Sequence, residues 1–207
     1  MDNINYSLSS HIALHEKKRS LYRYICGLLA GIMCIIIISS NMSITVSADD
    51  YPKAPDIESG NCILMDADSG IVLYEKNSGE KCYPASVTKL MTALIVAESC
   101  NLGDTLTVSR NAVSSVKYGD AAAGLKTGEE FTVEQALNVM LIKSANDMAY
   151  ALGEYAGGSI ANFANMMNKK AEELGCLNTH FTNASGLTDL NHYTTAYDMA
   201  LICRAVL

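Results

Sequence analysis

Tyr83-Pro-Ala-Ser86-Val-Thr-Lys89-Leu-Met-Thr-Ala-Leu-Ile-Val-Ala97 is the stretch whose reading decides the fold. From Ser86 to about Ser99 the residues Val87, Leu90, Met91, Ala93, Leu94, Ile95, Val96 and Ala97 leave almost no polar face. A helix that is apolar nearly all round belongs inside a domain. Asn101-Leu102-Gly103 marks its end. Ser86 falls at the predicted helix N-terminus and Lys89 lies three residues on, on the same face. Unpaired backbone N–H groups at a helix start can stabilise negative charge on an attacked carbonyl. An apolar setting and the positive end of the helix dipole both disfavour a charged Lys89. A neutral lysine can take the proton of Ser86, which yields a reactive serine without histidine.

The spacing alone is weak. Ser78 with Lys81 and Ser114 with Lys117 repeat it, but neither pair opens a buried helix, so both read as solvated side chains. Ser144-Ala145-Asn146 supplies a second hydroxyl and a carboxamide, predicted to lie between two helices. A hydroxyl there can relay a proton and an amide can bind a substrate backbone. The alternative is a helix stop and restart with Ser144 or Asn146 as cap. Ser39-Ser-Asn41, Ser59-Gly-Asn61 and Ser109-Arg-Asn111 share the tripeptide pattern.

Outward from this helix, two short apolar runs, Asn61–Met65 and Ile71–Tyr74, flank the turn signal Asp66-Ala-Asp-Ser-Gly70, which predicts a β-hairpin. Residues 104–131 read as irregular and turn-rich. Thr132 with Gln135 forms a capping box for a helix to about Ile142, and a further helix follows Asn146 until Gly157-Gly158. Ser159 caps the next, with Ile160, Phe163, Ala164, Met167, Ala171 and Leu174 along one face. Thr195 with Asp198 starts a last helix. The hairpin has no further predicted strands to pair with, although an isolated hairpin is marginal in water. A missing remainder of the sheet is therefore expected.

The first 48 residues read as a secretory signal peptide. Lys17, Lys18, Arg19 and Arg23 precede an apolar run, Ile25–Ile38, and Val46-Ser47-Ala48 resembles a cleavage site. Extended through Val46, the apolar run just reaches a membrane-spanning length, so an uncleaved anchor and membrane association are the alternative. Residues 49–60, with Pro52 and Pro55, read as an extended leader. Past residue 48 there remain eleven basic and twenty acidic residues, a formal charge near −9. Such an acidic, exported chain is a poor nucleic-acid binder. Five cysteines remain (Cys62, Cys82, Cys100, Cys176, Cys203), an odd number without a C-x-x-C, so no disulfide framework is indicated.

Taken together, the segments Asn61–Asn77, Tyr83–Leu94, Gly124–Glu129, Ser144–Ala149, Leu174-Gly175, Asn178–Asn183, Gly186-Leu187 and His192–Ala200 closely resemble the N-terminal part of serine D-alanyl-D-alanine carboxypeptidases, in the family's order. The resemblance covers nearly all of residues 60–207. It implies a serine β-lactamase and penicillin-binding-protein-like α/β (α+β) fold, with an antiparallel sheet, a central helix and a helical subdomain. It implies Ser86 as acylated nucleophile, Lys89 as its base, Ser144 as proton relay and Asn146 as substrate-binding amide. Peptidoglycan stem peptides would be the substrate and β-lactam antibiotics covalent inhibitors, with no metal or cofactor, outside the cytoplasmic membrane.

The family also carries a Lys-Thr-Gly motif on a strand after the second motif. Lys126-Thr127-Gly128 precedes Ser144 and so reads as a turn ahead of the Thr132 helix. Residues 61–207 are accordingly expected to be an incomplete catalytic domain, lacking the substrate-carboxylate site, one oxyanion N–H and the C-terminal strands. A class A β-lactamase is a rival, but Ala145 and the helical setting of Glu172-Glu173 depart from that family's pattern. A non-catalytic penicillin- or peptidoglycan-binding fragment is the rival of another class. His180 and His192 are isolated loop histidines and read as structural or solvated. No G-x-S-x-G, H-E-x-x-H or nucleotide fingerprint occurs.

Overall fold

In the computed structural model the described residues are 54–207, together with the helical, exposed Ile25, Leu28 and Leu29. The signal-peptide reading of residues 1–48 therefore lies outside the described residues, as does the start of the leader. Residues 54–60 carry neither helix nor strand.

The hairpin forms as its sequence predicts. Strand β1 (Cys62–Met65) pairs antiparallel with β2 (Val72–Lys76), with Leu64 opposite Tyr74. Asp66 shapes the connection: its carboxylate accepts from the Ser69 N–H and hydroxyl, an Asx-type turn. Among the described residues this sheet has two strands only.

The helix start differs from expectation. Ala85–Thr88 is a single 3-10 turn, and the α-helix proper, α1, spans Lys89–Ser99. Ser86 thus sits in the tighter turn before the helix, and Val87 points outward, exposed. The apolar reading of α1 is correct: Met91, Ala93, Leu94, Ile95 and Val96 are all buried, along with Thr92 and Lys89. Met91, Leu94, Ile95 and Val96 each contribute roughly 1.5–3 kcal/mol when fully buried.

Residues 104–131 are not irregular. Strand β3 (Thr105–Thr107) pairs with β4 (Glu130–Thr132), placing Leu106 opposite Phe131. Between them lies a short helix, α2 (Arg110–Ser114), whose cap Ser109 accepts from the Ala112 N–H. Three-residue strands are too short for an alternation signal, and their pairing is decided by the burial of Leu106 and Val108 in the core. Lys126-Thr127-Gly128 is the turn leading into β4: Lys126 N–H donates to Glu129, and Gly128 N–H to Val108 C=O.

Thr132 ends β4 and caps α3 (Val133–Lys143) with both halves of the predicted capping box. Helix α4 (Asn146–Gly157) follows and stops at Gly158, whose φ of 71° suits glycine. Helix α5 (Ile160–Glu173) is capped by Ser159 and buries Phe163, Ala164, Met167 and Ala171, four of the six residues read as its inner face. Helix α6 (Ala196–Val206) is capped by Thr195, which accepts from the Asp198 N–H. Helix α1 packs against α3, α4, α5 and α6, so it is the centre of the helical layer, and α6 also backs β1. No helix among the described residues is long and apolar enough to cross a membrane.

The five cysteines of residues 54–207 are free thiols. Cys176 is buried and donates to Asp198 C=O at 3.4 Å, and burial pushes its thiol up to about 12.

Replacing Thr132 by Ala removes one half of the capping box. We expect a loss of about 1 kcal/mol in urea unfolding followed by circular dichroism, with an unchanged denaturant slope.

Candidate active site

The Lys89 amine is the junction of the site. It lies 3.1 Å from Ser86 Oγ, 2.7 Å from Asn146 Oδ1 and 3.0 Å from Ser185 C=O. Ser86 is exposed, whereas Lys89 is only 3% exposed. An accessible hydroxyl therefore rests on a desolvated amine. Desolvation lowers the Lys89 pKa from 10.5 to about 8. At neutral pH roughly a tenth of the amine is then uncharged, against less than one part in a thousand for an exposed lysine.

The three partners fit both protonation states. The ammonium donates to all three. The neutral amine keeps two donors for Asn146 Oδ1 and Ser185 C=O, which turns its lone pair toward the Ser86 hydroxyl. This is the geometry needed to accept the serine proton.

Asn146 is buried as the first residue of α4, and its N–H donates to Ala121 C=O. Asp147 beside it is also buried; its carboxylate accepts from the N–H groups of Ala123, Gly124 and Leu125. The second motif is thus clamped to the loop before β4. Ser144, half-buried, takes a left-handed φ of 53° as the C-cap of α3, two residues before Asn146. Among the described residues its hydroxyl has no hydrogen-bond partner. Of the four predicted site residues, the structure joins Ser86, Lys89 and Asn146 by hydrogen bonds, while Ser144, two residues before Asn146, makes no hydrogen bond to them.

The loop at Asn183–Gly186 was missed as part of the site. Asn183 Oδ1 accepts from the Ser185 N–H and hydroxyl and from the Gly186 N–H, folding the loop on itself. The folded loop presents Ser185 C=O to Lys89 and Ala184 C=O to Thr92, 2.7 Å away. Gly186, at φ 84°, runs so close to the 3-10 turn that an added Cβ would lie 1.7 Å from Ala85 C=O. Ala85 itself holds a left-handed φ of 46°. Two non-glycine residues hold this conformation close in sequence to site residues, Ala85 next to Ser86 and Ser144 two before Asn146, each at a cost of order 1–2 kcal/mol. The signal for the loop was its turn-forming Asn183-Ala-Ser-Gly186 composition, which by itself does not say what the turn packs against.

His192 is buried and bonded at both ring nitrogens. Nδ1 accepts from the Thr182 N–H at 3.1 Å, and Nε2 is 2.8 Å from Thr88 Oγ1. Burial lowers its pKa to about 4, so the ring is neutral at physiological pH. His180, exposed, bonds Asn191 C=O and stacks on Tyr193. Of the two histidines read as structural or solvated, His192 is the buried one and His180 the exposed one.

The D-alanyl-D-alanine carboxypeptidase family model matches residues 48–207. The chain belongs to that family. D-alanyl-D-alanine carboxypeptidase DacF of Bacillus subtilis is 38% identical over 192 residues, 89% of this chain and 48% of that protein. DacC of Escherichia coli is 34% identical over 189 residues, 87% of this chain and 46% of its own length. Among solved structures, penicillin binding protein 6B from Escherichia coli superimposes with a TM-score of 0.71 at 32% identity, covering 78% of this chain and 54% of that one. DacD from Francisella tularensis gives a TM-score of 0.70 at 34% identity, covering 77% of this chain and 39% of that one. The chain spans about half the length of the curated relatives it matches. The fold is the penicillin-binding-protein-like α/β architecture that the resemblance implied, with helices and antiparallel strands.

Two outcomes follow from this packing. Gly186→Ala should lower stability by roughly 2–4 kcal/mol in urea unfolding, because neither the φ nor the contact with Ala85 tolerates a methyl group. The Lys89 pKa is lower in the folded than in the unfolded chain, so the unfolded chain binds more protons between about pH 8 and 10.5. The Lys89 contribution to stability should therefore rise with pH across that window. It is measured as the wild-type pH profile minus that of Lys89→Met, which cancels the tyrosine and cysteine titrations of the same range.

Proposed function

We propose that this chain carries the acylating machinery of a serine D-alanyl-D-alanine carboxypeptidase that trims peptidoglycan stem peptides. The observation that carries the reading is the buried Lys89 amine, hydrogen-bonded at once to the exposed Ser86 hydroxyl and to Asn146. Membership of the D-alanyl-D-alanine carboxypeptidase family supports the substrate class.

In the reaction, neutral Lys89 accepts the Ser86 proton as Oγ attacks the carbonyl of the penultimate D-alanine. The C–N bond breaks, and the terminal D-alanine leaves once its nitrogen is protonated, by Lys89 directly or through the Ser144 hydroxyl. Water then hydrolyses the ester and regenerates Ser86. Asn146 orients the substrate backbone while its Oδ1 holds the amine of Lys89. A β-lactam follows the first half of this course and stays attached as the ester. No step calls for a metal or cofactor. Because the substrate lies in the wall, the protein acts outside the cytoplasmic membrane, exported by its N-terminal segment or held by it at the outer face. Its role is remodelling of the wall and hence of cell shape. Residues 61–207 are the catalytic domain's N-terminal part, without the family's Lys-Thr-Gly motif after Ser144.

The geometry weighs against a class A β-lactamase. Ala145 is fully buried and offers no carboxylate, while Glu172 and Glu173 lie on the surface of α5, Glu173 paired with Lys169 and Lys170. Among the described residues no glutamate bonds to the Ser86–Lys89 pair to drive rapid deacylation.

Benzylpenicillin should add its mass to the protein on Ser86, as located by peptide mapping, and Ser86→Ala should show no adduct. The adduct should form faster as pH rises through about 8, where Lys89 loses its proton. Lys89→Arg, a permanent cation, should slow it by about 10²-fold or more. A folded chain left unmodified would favour the passive binding fragment, and rapid release of hydrolysed penicillin the β-lactamase.

A further inference from the structure

We propose that His192 is a positioning residue for the Ser86–Lys89 pair, acting through its Nε2 hydrogen bond to Thr88. This rests on the reading of Ser86 and Lys89 as the reacting pair.

Thr88 stands immediately before Lys89, at the point where the 3-10 turn of Ser86 passes into α1. Its side chain is wholly buried. It therefore sets the rotation of the one turn that aligns Ser86 Oγ with Lys89 Nζ. The ring of His192 spans from this residue to the backbone of Thr182, at the entrance of the loop that covers Lys89. The tautomer follows from the partners. Nδ1 accepts the Thr182 N–H, so the proton is on Nε2 and is donated to Thr88 Oγ1. Phe181 packs edge-on against the same ring, with centroids 5.4 Å apart, and leaves it little freedom to turn.

The other ties between this loop and the catalytic turn are peripheral or depend on correct placement. Thr92 holds Ala184, and the Cys82–Thr194 bridge joins the two segments further out. Among the described residues, only the His192–Thr88 bond links a side chain within Ser86–Lys89 to a side chain of the covering segment. If it is broken, the loop at Ser185 is free to lift, water reaches the Lys89 amine, and the desolvation that makes Lys89 a base is lost. The charged or titratable groups around the ring are few. Asp189 and His180 face it from its own segment, and Lys89 lies beyond Thr88 on α1.

The two ring nitrogens can be tested separately. The amide of glutamine reaches the Nε2 position and can still donate to Thr88. The amide of asparagine reaches only the Nδ1 position and keeps the Thr182 bond. Thr88→Val removes the acceptor at nearly constant shape. The readout is the titration of Lys89 in the full chain labelled with [ε-13C]lysine, assigned by loss of its signal in Lys89→Met. This needs no turnover and no acylation, so it stands or falls apart from the carboxypeptidase reading.

Wild type should titrate at about 8, and His192→Gln should stay there. Thr88→Val and His192→Asn should move toward 10.5, the ordinary lysine value, by one unit or more, a tenfold or greater loss of neutral amine at pH 7. The proposal is overturned if folded Thr88→Val titrates like wild type. It is equally overturned if asparagine preserves the value and glutamine does not, since His192 would then act only as a prop for Thr182. If the histidine variants unfold, Thr88→Val decides alone.

Discussion

One buried amine organises residues 54–207. Lys89 lies in the apolar interior of α1, and its nitrogen is held by groups from three other places: the Ser86 turn, the start of α4 and the loop at Ser185. An amine in such a place is costly unless its hydrogens find acceptors. The neighbouring segments must therefore arrive with an oxygen each. That demand links two helices, the Ser86 turn and a loop. The same burial that costs stability lowers the Lys89 pKa to about 8, so the expense and the shift share one cause.

The surroundings are built to hold the junction rigid. Asn183 ties its loop into a turn, Asp147 clamps the segment before β4, and Thr132 fixes the start of α3. Strain collects beside the junction. Ala85 and Ser144 both adopt a backbone region that suits glycine, and Gly186 passes within bonding distance of Ala85 for any added methyl. Residues stay in such conformations only where the surrounding contacts over-determine them. The side chain of Ser86 is aimed outward by the first of these bends, and that of Ser144 stands free at the second.

The hairpin face shows the opposite situation. Leu64 and Leu73 are exposed on strands whose sheet has two members among the described residues, and Ile71 is exposed just before the second. Helix α6 covers β1, and Arg204 reaches back to the carbonyls of Ala67 and Asp68 at the hairpin turn. None of the three partners of the Lys89 amine lies on either strand, so these contacts do not depend on a larger sheet.

Much of this was legible in the residues. Capping residues announced α3, α5 and α6 because a side-chain oxygen three positions before an N–H is a local event. The all-round apolar pattern announced the buried α1, and the spacing of Ser86 and Lys89 put both on one face. Strands β3 and β4 were illegible, since each is three residues long and their pairing is made by contacts distant in sequence. The 3-10 form of the Ser86 turn was hidden too, because Gly186 and Ala85 settle it by meeting in space. What the sequence determined by itself was therefore whatever depends on neighbours within a turn or two: helices, caps and the Ser86–Lys89 hydrogen-bonded pair. What only the tertiary structure decided was which oxygens surround the Lys89 amine, Ser185 C=O above all. A backbone carbonyl has no residue type to read, and it becomes part of a site only when the chain brings it there.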